Sequence, residues 1–263
     1  MAPLFDRLLS NRAVYERILP WLNEHVLVRH MLRFNRIRES RLAHRWLDGL
    51  KGVEVGPSES NPFGLATRNI GRRDKIYERE QLQQVGCYSH IHIEASADDI
   101  PLPDSSEDFV LSSHVIEHCP DTIKTLLEWF RVTRVGGILF MIVPQRDAAP
   151  SDVGRPLSTW EGLFDIYCNG ISAEELAAQG VAGHCHYHVF TLGSMKSFVA
   201  RIFGDALVLL EEQDPDDKVG NGFTLVYRKA HARAAIVAEP RPAGERRGIS
   251  PFPDRACAGQ RSG

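Results

Sequence analysis

Apolar residues between positions 51 and 143 fall into short runs that are separated by amphipathic stretches. The runs predict five strands, at residues 52–55, 66–70, 90–93, 109–112 and 138–143. The fifth run is apolar throughout, as in a strand that is buried on both faces. Residues 122–132 carry apolar side chains at helical spacing and predict a helix before that strand. Strands that alternate with helices in this way are typical of an α/β fold with a parallel sheet.

Residues 144–192 interrupt the alternation with several prolines and glycines and a histidine cluster. A helix pair is predicted here, at residues 159–168 and 173–179. An insert after the carboxyl end of a strand lies over the ligand crevice of such a sheet, so we interpret it as a lid that contacts substrate. The chain continues with a predicted helix and two predicted strands, at residues 191–203, 206–211 and 222–228. The acidic connection between these two strands is too short for a crossover helix, so they should pair antiparallel.

The two ends of the chain differ from this central domain, which we place at residues 51–229. Residues 1–50 show helical spacing of apolar positions and predict a helical cap. The basic stretch at 29–45 is a solvated helix face or a surface for an anionic substrate or for peripheral contact with membrane phospholipid. Residues 230–263 are rich in Ala, Arg, Gly and Pro without periodicity, which predicts a disordered tail.

Composition narrows the class of protein. A chain of 263 residues that is 43% hydrophobic can bury one substantial core. Its net charge of −3 gives no basic field for nucleic acid. We find no apolar run of about 18 residues, which a membrane span would need, and no secretory signal. The five scattered cysteines fit free thiols in a reducing compartment, so we expect a cytoplasmic protein.

Candidate ligand-binding residues follow the first predicted strand. Glu54 and Gly56 end that strand and enter a tight loop with Pro57 and Ser58, and glycine lets the backbone approach a ligand closely. Asp74 lies 20 residues after Glu54, where an acid commonly binds ribose hydroxyls. The second strand is weakly marked, so Glu78 remains an alternative to Asp74.

Two histidine-containing segments carry further candidate chemistry. Segment 114–118, HVIEH, follows the fourth strand, and its two histidines could bind zinc at helical spacing, although the pattern is not HExxH. Segment 184–188, HCHYH, alternates histidines along one side of an extended chain. It could ligate metal, form a structural turn, or place an imidazole over an acceptor. We expect no bound metal, and we expect Arg155 to bind an anionic acceptor.

Several stretches resemble class I S-adenosylmethionine-dependent methyltransferases of the methyltransferase-domain group. They are GVEVGPSESNPFG at 52–64, IPLPDSSEDFVLSSHVIEHCPD at 100–121 and GGILFMIVP at 136–144. The chain is similar to members found with glycan and lipopolysaccharide biosynthesis. The resemblance implies a Rossmann-like seven-stranded sheet of order 3-2-1-4-5-7-6, flanked by helices, with the last strand antiparallel.

The resemblance also implies roles for individual residues. Ser96 stands where the family has the acid that receives the adenine amino group, so the resemblance implies that this contact passes to the backbone of Ala97 and Asp98 or to Asp98 itself. The implied cofactor residues are Glu54, Gly56, Pro57, Ser58, Asp74, Ser96, Ala97, Asp98, Ser113 and His114. The implied catalytic bases are His114 and His186. The implied substrate-binding residues are Arg155, His118 and His188.

The expected function is therefore methyl transfer from S-adenosyl-L-methionine to a small-molecule or glycan acceptor, through a hydroxyl. Three alternatives remain open from the sequence: a non-catalytic Rossmann-like binding or scaffold protein, an NAD-linked sugar-modifying enzyme, and a zinc enzyme. We expect a small-molecule or glycan partner and no nucleic acid.

Overall fold

The computed structural model describes residues 40–58, 62–73, 75, 78–79, 81–82, 86–149, 152–178 and 186–232. Most of the predicted helical cap and of the predicted disordered tail lies outside these residues. Asp74 and His184 also lie outside them.

Seven strands form one sheet in the order β3-β2-β1-β4-β5-β7-β6. Their bounds are β1 Gly52–Val55, β2 Thr67–Gly71, β3 Ile93–Glu94, β4 Glu107–Ser113, β5 Thr133–Pro144, β6 Leu207–Gln213 and β7 Gly222–Lys229. Strands β1 to β5 pair parallel, whereas β7 runs antiparallel to both β5 and β6. The predicted fold, including the antiparallel hairpin, is confirmed. That hairpin separates this sheet from the parallel 3-2-1-4-5-6 sheet of dinucleotide-binding domains.

Five helices and two 3₁₀ turns have both ends within the described residues. They are α1 Arg41–Leu47, α2 Thr122–Val132, α3 Trp160–Asn169, α4 Ala173–Ala178 and α5 Leu192–Phe203, with turns at Ile116–His118 and Gly204–Ala206. Helices α2 and α5 begin where Asp121 and Thr191 accept a backbone N–H from the first turn, as N-cap side chains do. None of the described helices has the length and apolar character that a membrane crossing requires.

The third strand is shorter than predicted and shifted toward its carboxyl end. Hydrogen bonds that involve side chains explain the difference, because they take up backbone groups of the two segments that a regular ladder would use. The backbone N–H of Asn69 donates to Nδ1 of His92 at 3.0 Å, and the Asn69 side chain donates to the carbonyl of His90 at 3.0 Å. Regular pairing with β2 is therefore left only to Ile93 and Glu94.

Strand β5 lies at the centre of the core and is buried on both faces. Leu139, Met141 and Val143 pack into the cluster that contains α2 and α5, and Phe140 and Ile142 pack into the cluster that contains α1. Each such side chain contributes roughly 1.5–3 kcal/mol when it is removed from water. Since the two core clusters cover both faces of β5, the place that remains for a ligand is the end of the sheet where the carboxyl ends of the strands lie.

A buried lysine closes the carboxyl end of α2. The ammonium of Lys229, at the end of β7, donates to the carbonyls of Phe130 and Thr133 at 2.7 Å each. Burial lowers the pKa of Lys229. The last carbonyls of a helix lack donors within the helix, so this side chain supplies hydrogen bonds that nothing else in the helix can give.

Replacing Lys229 by Met keeps the length of the side chain but removes its donors. Two buried carbonyls then lose a partner, and we expect the free energy of unfolding to fall by about 1–3 kcal/mol. Urea denaturation followed by circular dichroism measures this change. Arg228→Met, at the exposed neighbouring position, is the matched control and should stay within about 0.5 kcal/mol of the parent. Equal midpoints for both variants would contradict the role given to Lys229.

Candidate active site

The carboxyl ends of β1 and β4 meet where the strand order reverses, which is where open α/β sheets bind ligands. Gly56 follows β1 with φ of 66°, in the left-handed region that favours glycine. A Cβ at Gly56 would lie 2.5 Å from Cγ2 of Val115, in the segment after β4. The turn can therefore lie against that segment only because residue 56 has no side chain.

The predicted cofactor residues around this turn are partly enclosed. Glu54 is buried within β1, and Oγ1 of Thr67 donates to its carboxylate at 3.4 Å. Pro57 is buried and Ser58 is half-buried directly after the turn. Asp74 lies outside the described residues, while its alternative Glu78 is half-buried. Asp74 and Glu78 therefore both stay predictions for the acid that binds the ribose hydroxyls.

The loop at residues 96–99 is a fixed, acidic element beside the end of β3. Ser96 donates to the carboxylate of Asp98, which also accepts from Nζ of Lys124 at 2.9 Å. Partial burial acts to raise the pKa of Asp98, but these two hydrogen bonds outweigh it and the pKa is lowered. The indole N–H of Trp129 donates to the carbonyl of Ala97 at 2.9 Å. A carboxylate therefore stands next to Ser96, although residue 96 itself is not acidic.

His114 has a strained backbone directly after β4 and Ser113. Its φ of 55° is uncommon for a residue with a side chain, and its N–H donates to the carbonyl of Ile142 at 2.9 Å. Burial lowers the pKa of His114, an effect that the charge of Asp216 opposes. Among the described residues, the buried Nε2 of this ring has no hydrogen-bond partner. Strain held at a crevice next to an unused polar atom is a feature of functional sites.

Glu117 is fully buried at the centre of three imidazoles. Its Oε1 lies 3.7 Å from Nδ1 of His114, 3.9 Å from Nε2 of His118 and 3.9 Å from Nε2 of His186. Within the part of the chain that the structure describes, neither carboxylate oxygen has a hydrogen-bond partner. Burial raises the pKa of Glu117 to about 8, although His186 acts in the opposite direction. Sequence reasoning gave this residue no role, and its spacing of three from His114 was the available signal.

His186 reaches the same point from the insert after β5. Its Nδ1 lies 2.5 Å from Oδ2 of the buried Asp152, and its ring stacks edge-on against His118 with centroids 4.7 Å apart. Burial acts to lower the pKa of His186, but the hydrogen bond to Asp152 and the charge of Glu117 raise it overall. The structure therefore brings together His114, His118 and His186, which come from two separate motifs. It also adds Asp152, which sequence reasoning missed because no motif marks it.

Two of the predicted substrate-binding residues have partners within the protein. The guanidinium of Arg155 donates to Asp152 at 2.9 Å and to the carbonyl of His186 at 2.8 Å. In the buried His188, Nε2 lies 2.9 Å from the carbonyl of Pro120 and Nδ1 lies 3.3 Å from Oγ of Ser158. Burial lowers the pKa of His188 to about 4. Both side chains support the insert, and substrate contact by either one stays a prediction.

The backbone of the insert is attached to the turn that carries Glu117. The N–H groups of Tyr187 and His188 both donate to the carbonyl of Glu117, at 2.8 and 3.2 Å. This attachment puts the segment after residue 185 next to the carboxyl end of β4. The function of the whole insert as a lid stays a prediction.

Comparison with known proteins gives a partial match along the sequence. Residues 73–141 match a family described as a methyltransferase domain. A "Probable S-adenosylmethionine-dependent methyltransferase" of Mycolicibacterium smegmatis is 33% identical over 135 residues, which cover 50% of this chain and 51% of the relative. A demethylmenaquinone methyltransferase of Listeria welshimeri is 27% identical over 115 residues, 43% of each chain. A malonyl-[acyl-carrier protein] O-methyltransferase of Serratia marcescens is 37% identical over 51 residues, 19% of this chain and 20% of the relative.

The chain spans about half the length of the first of these relatives and less of the others. Among solved structures, a methyltransferase of Methanosarcina mazei is 16% identical with a TM-score of 0.42, covering 72% of this chain and 97% of that one. One of Aquifex aeolicus is 13% identical with a TM-score of 0.41, covering 78% and 90%.

A side chain at Gly56 should close the crevice. We expect Gly56→Ala to weaken binding of S-adenosylhomocysteine at least about tenfold, because the new Cβ would overlap Val115 and push apart the two segments after β1 and β4. Gly49→Ala is the matched control: Gly49 also has positive φ, but nothing lies within 4 Å of its Cβ position. Isothermal titration calorimetry compares the two variants. Unchanged affinity in Gly56→Ala would show that the ligand does not use this turn.

Proposed function

We propose that this chain, which carries a class I S-adenosylmethionine-dependent methyltransferase domain, transfers a methyl group to a hydroxyl of a small-molecule or glycan acceptor. The domain type rests on the matched family and the strand order. The observation that carries the reaction is the position of His114, a strained residue with an unused ring nitrogen at the point where β1 and β4 end.

The residues present fit S-adenosylmethionine, the methyl donor of this family. The turn at Gly56 has the close approach that a backbone-bound ligand requires, and Asp98 supplies a carboxylate in the loop after β3. Glu54, Gly56, Pro57 and Ser58 would hold the amino-acid end of the donor. Ser96, Ala97 and Asp98 would contact the adenine, with Asp74 or Glu78 on the ribose. Ser113 and His114 would lie beside the methionine portion.

The sulfonium of the bound donor supplies an electrophilic methyl group. The chain would place the acceptor oxygen in line with this methyl group, and Nε2 of His114 would take the hydroxyl proton as the oxygen replaces the sulfur on the methyl carbon. Holding the acceptor oxygen and the methyl carbon about 3–3.5 Å apart would supply roughly 7–11 kcal/mol of the barrier. A positioned base adds roughly 10²–10⁴-fold in rate.

His114 is the preferred base of the two candidates. In His186, Nδ1 is bound to Asp152 and Nε2 faces Glu117, so both ring nitrogens already face carboxylates. In His114, Nε2 has no partner among the described residues. His118 has 44% of its side chain exposed, which leaves it accessible to an acceptor.

A hydroxyl as the methylated group is supported by the presence of a base, since a carboxylate or thiol acceptor would need none. One relative is named as an O-methyltransferase, which agrees with an oxygen acceptor here. Binding of S-adenosylmethionine by calorimetry, followed by transfer of tritium from its methyl group into a panel of hydroxylated small molecules and oligosaccharides, tests the proposal. An absence of heat at millimolar ligand would instead favour a non-catalytic scaffold.

Replacing His114 should separate catalysis from binding. His114→Asn is the suitable variant because asparagine tolerates positive φ. We expect tritium transfer to fall by roughly 10²–10⁴-fold while the affinity for S-adenosylhomocysteine changes little. His231→Asn, at a solvent-exposed histidine, is the control. Loss of cofactor binding in His114→Asn would show that the main contribution of His114 is to hold the methionine portion of the donor, and would remove it as the base.

A further inference from the structure

Three side chains beside His114 present one ligand atom each to a common point. One carboxylate oxygen of Glu117 and one ring nitrogen each of His118 and His186 all lie within 4.8 Å of one another. Oε1 of Glu117 is 3.9 Å from each of the two nitrogens. Two atoms that each lie about 2.0–2.2 Å from one Zn²⁺ at tetrahedral angles are about 3.4 Å apart. Small side-chain shifts would therefore bring the three atoms to bonding distance of a single ion.

The buried carboxylate requires a partner that these described residues do not supply. Glu117 is fully buried, and in the described part of the chain its two oxygens accept no hydrogen bond. Buried acidic groups in proteins are neutralised by a proton, paired, hydrogen-bonded or bound to metal. The three imidazoles nearest to it lie at 3.7–3.9 Å, beyond hydrogen-bonding distance. This spacing leaves room for an ion between the carboxylate and the rings.

Asp152 orients His186 as an outer-shell carboxylate orients a metal-binding histidine. It lies 2.5 Å from Nδ1 of that ring, so Nδ1 carries the proton and the lone pair of Nε2 is directed at Glu117. Asp152 is itself held by Arg155 at 2.9 Å.

From these contacts we infer that Glu117, His118 and His186 bind one divalent transition-metal ion. Two imidazoles and one carboxylate form the ligand set of catalytic zinc sites, which keep a fourth position open. Imidazole donors disfavour Mg²⁺ and Ca²⁺, which prefer oxygen ligands. Neither histidine motif predicts a metal when it is considered separately. The three ligands come together only in the fold, because Glu117 and His118 belong to the turn after β4 and His186 belongs to the insert.

The ion would act on the acceptor at its open position, and this part of the inference rests on the proposed function. An alcohol oxygen bound there loses its proton more readily. His114 adjoins the site through Glu117, at 3.7 Å, and can receive that proton. His186 is then a ligand and not a base. His118, with 44% of its side chain exposed, gives the ion a route from solvent.

Metal analysis of the untagged full chain tests the site directly. We expect about one equivalent of zinc by mass spectrometry and, after chelation, stoichiometric binding of added Zn²⁺ or of Co²⁺, which the visible spectrum reports. His118→Ala and Glu117→Gln should lower metal affinity at least about tenfold. Asp152→Asn should lower it about 10–100-fold through His186. His231→Ala, the control at an exposed histidine, should keep the metal.

The outcomes separate this inference from the proposed function. A metal-free chain that binds S-adenosylhomocysteine and regains tritium transfer on addition of Zn²⁺ supports both. Stoichiometric Mn²⁺ or Fe²⁺ in place of zinc supports the site and changes the ion. Binding of S-adenosylhomocysteine without uptake of Zn²⁺, Co²⁺, Mn²⁺ or Fe²⁺ overturns the site alone, as does full metal content in His118→Ala. Metal uptake without binding of S-adenosylhomocysteine overturns the proposed function and leaves the site standing.

Discussion

The pairing of β1 with β4 is the constraint on which the rest of the molecule depends. The two strands run parallel and in register from Gly52 with Phe109 to Val55 with Ser112. A Cβ at Gly52 would lie 2.4 Å from the carbonyl oxygen of Phe109, so the strands can approach this closely only with glycine at that position. Because β2 and β5 then extend the sheet in opposite directions, the loops after β1 and β4 are left side by side. The position of the candidate site follows from that placement, since both loops carry polar side chains of the site.

Most of the fold could be predicted because it is encoded locally. The apolar run of β5 and the spacing of α2 determine two central elements, and α2 has the predicted bounds of 122–132. The short acidic connection before β7 was enough to predict the antiparallel hairpin. Strand β3 departed from prediction because the side chain of His92 binds a backbone N–H of β2, which no pattern of apolar residues reveals.

The candidate site was only partly predictable, for a different reason. His114, His118 and His186 were chosen from their motifs, but each was considered with its own sequence neighbours. Glu117 and Asp152 are recognised only from contacts between distant parts of the chain. Glu117 lies next to imidazoles from two segments, and Asp152 orients a ring 34 residues away. Arg155 was chosen for its charge; within the protein it contacts Asp152 and backbone carbonyls, and its contact with an anionic acceptor stays a prediction.

Glu117 is bound to the insert through its backbone and lies next to it through its side chain. Its carbonyl accepts the N–H groups of Tyr187 and His188, and its side chain faces His186 of the same segment. The same contacts that hold the insert against the sheet therefore also place His186 next to Glu117. Under the proposed function, a departure of this segment from the sheet would separate His186 from Glu117 as it exposed the site, so methyl transfer would be confined to the arrangement in which the segment is in place.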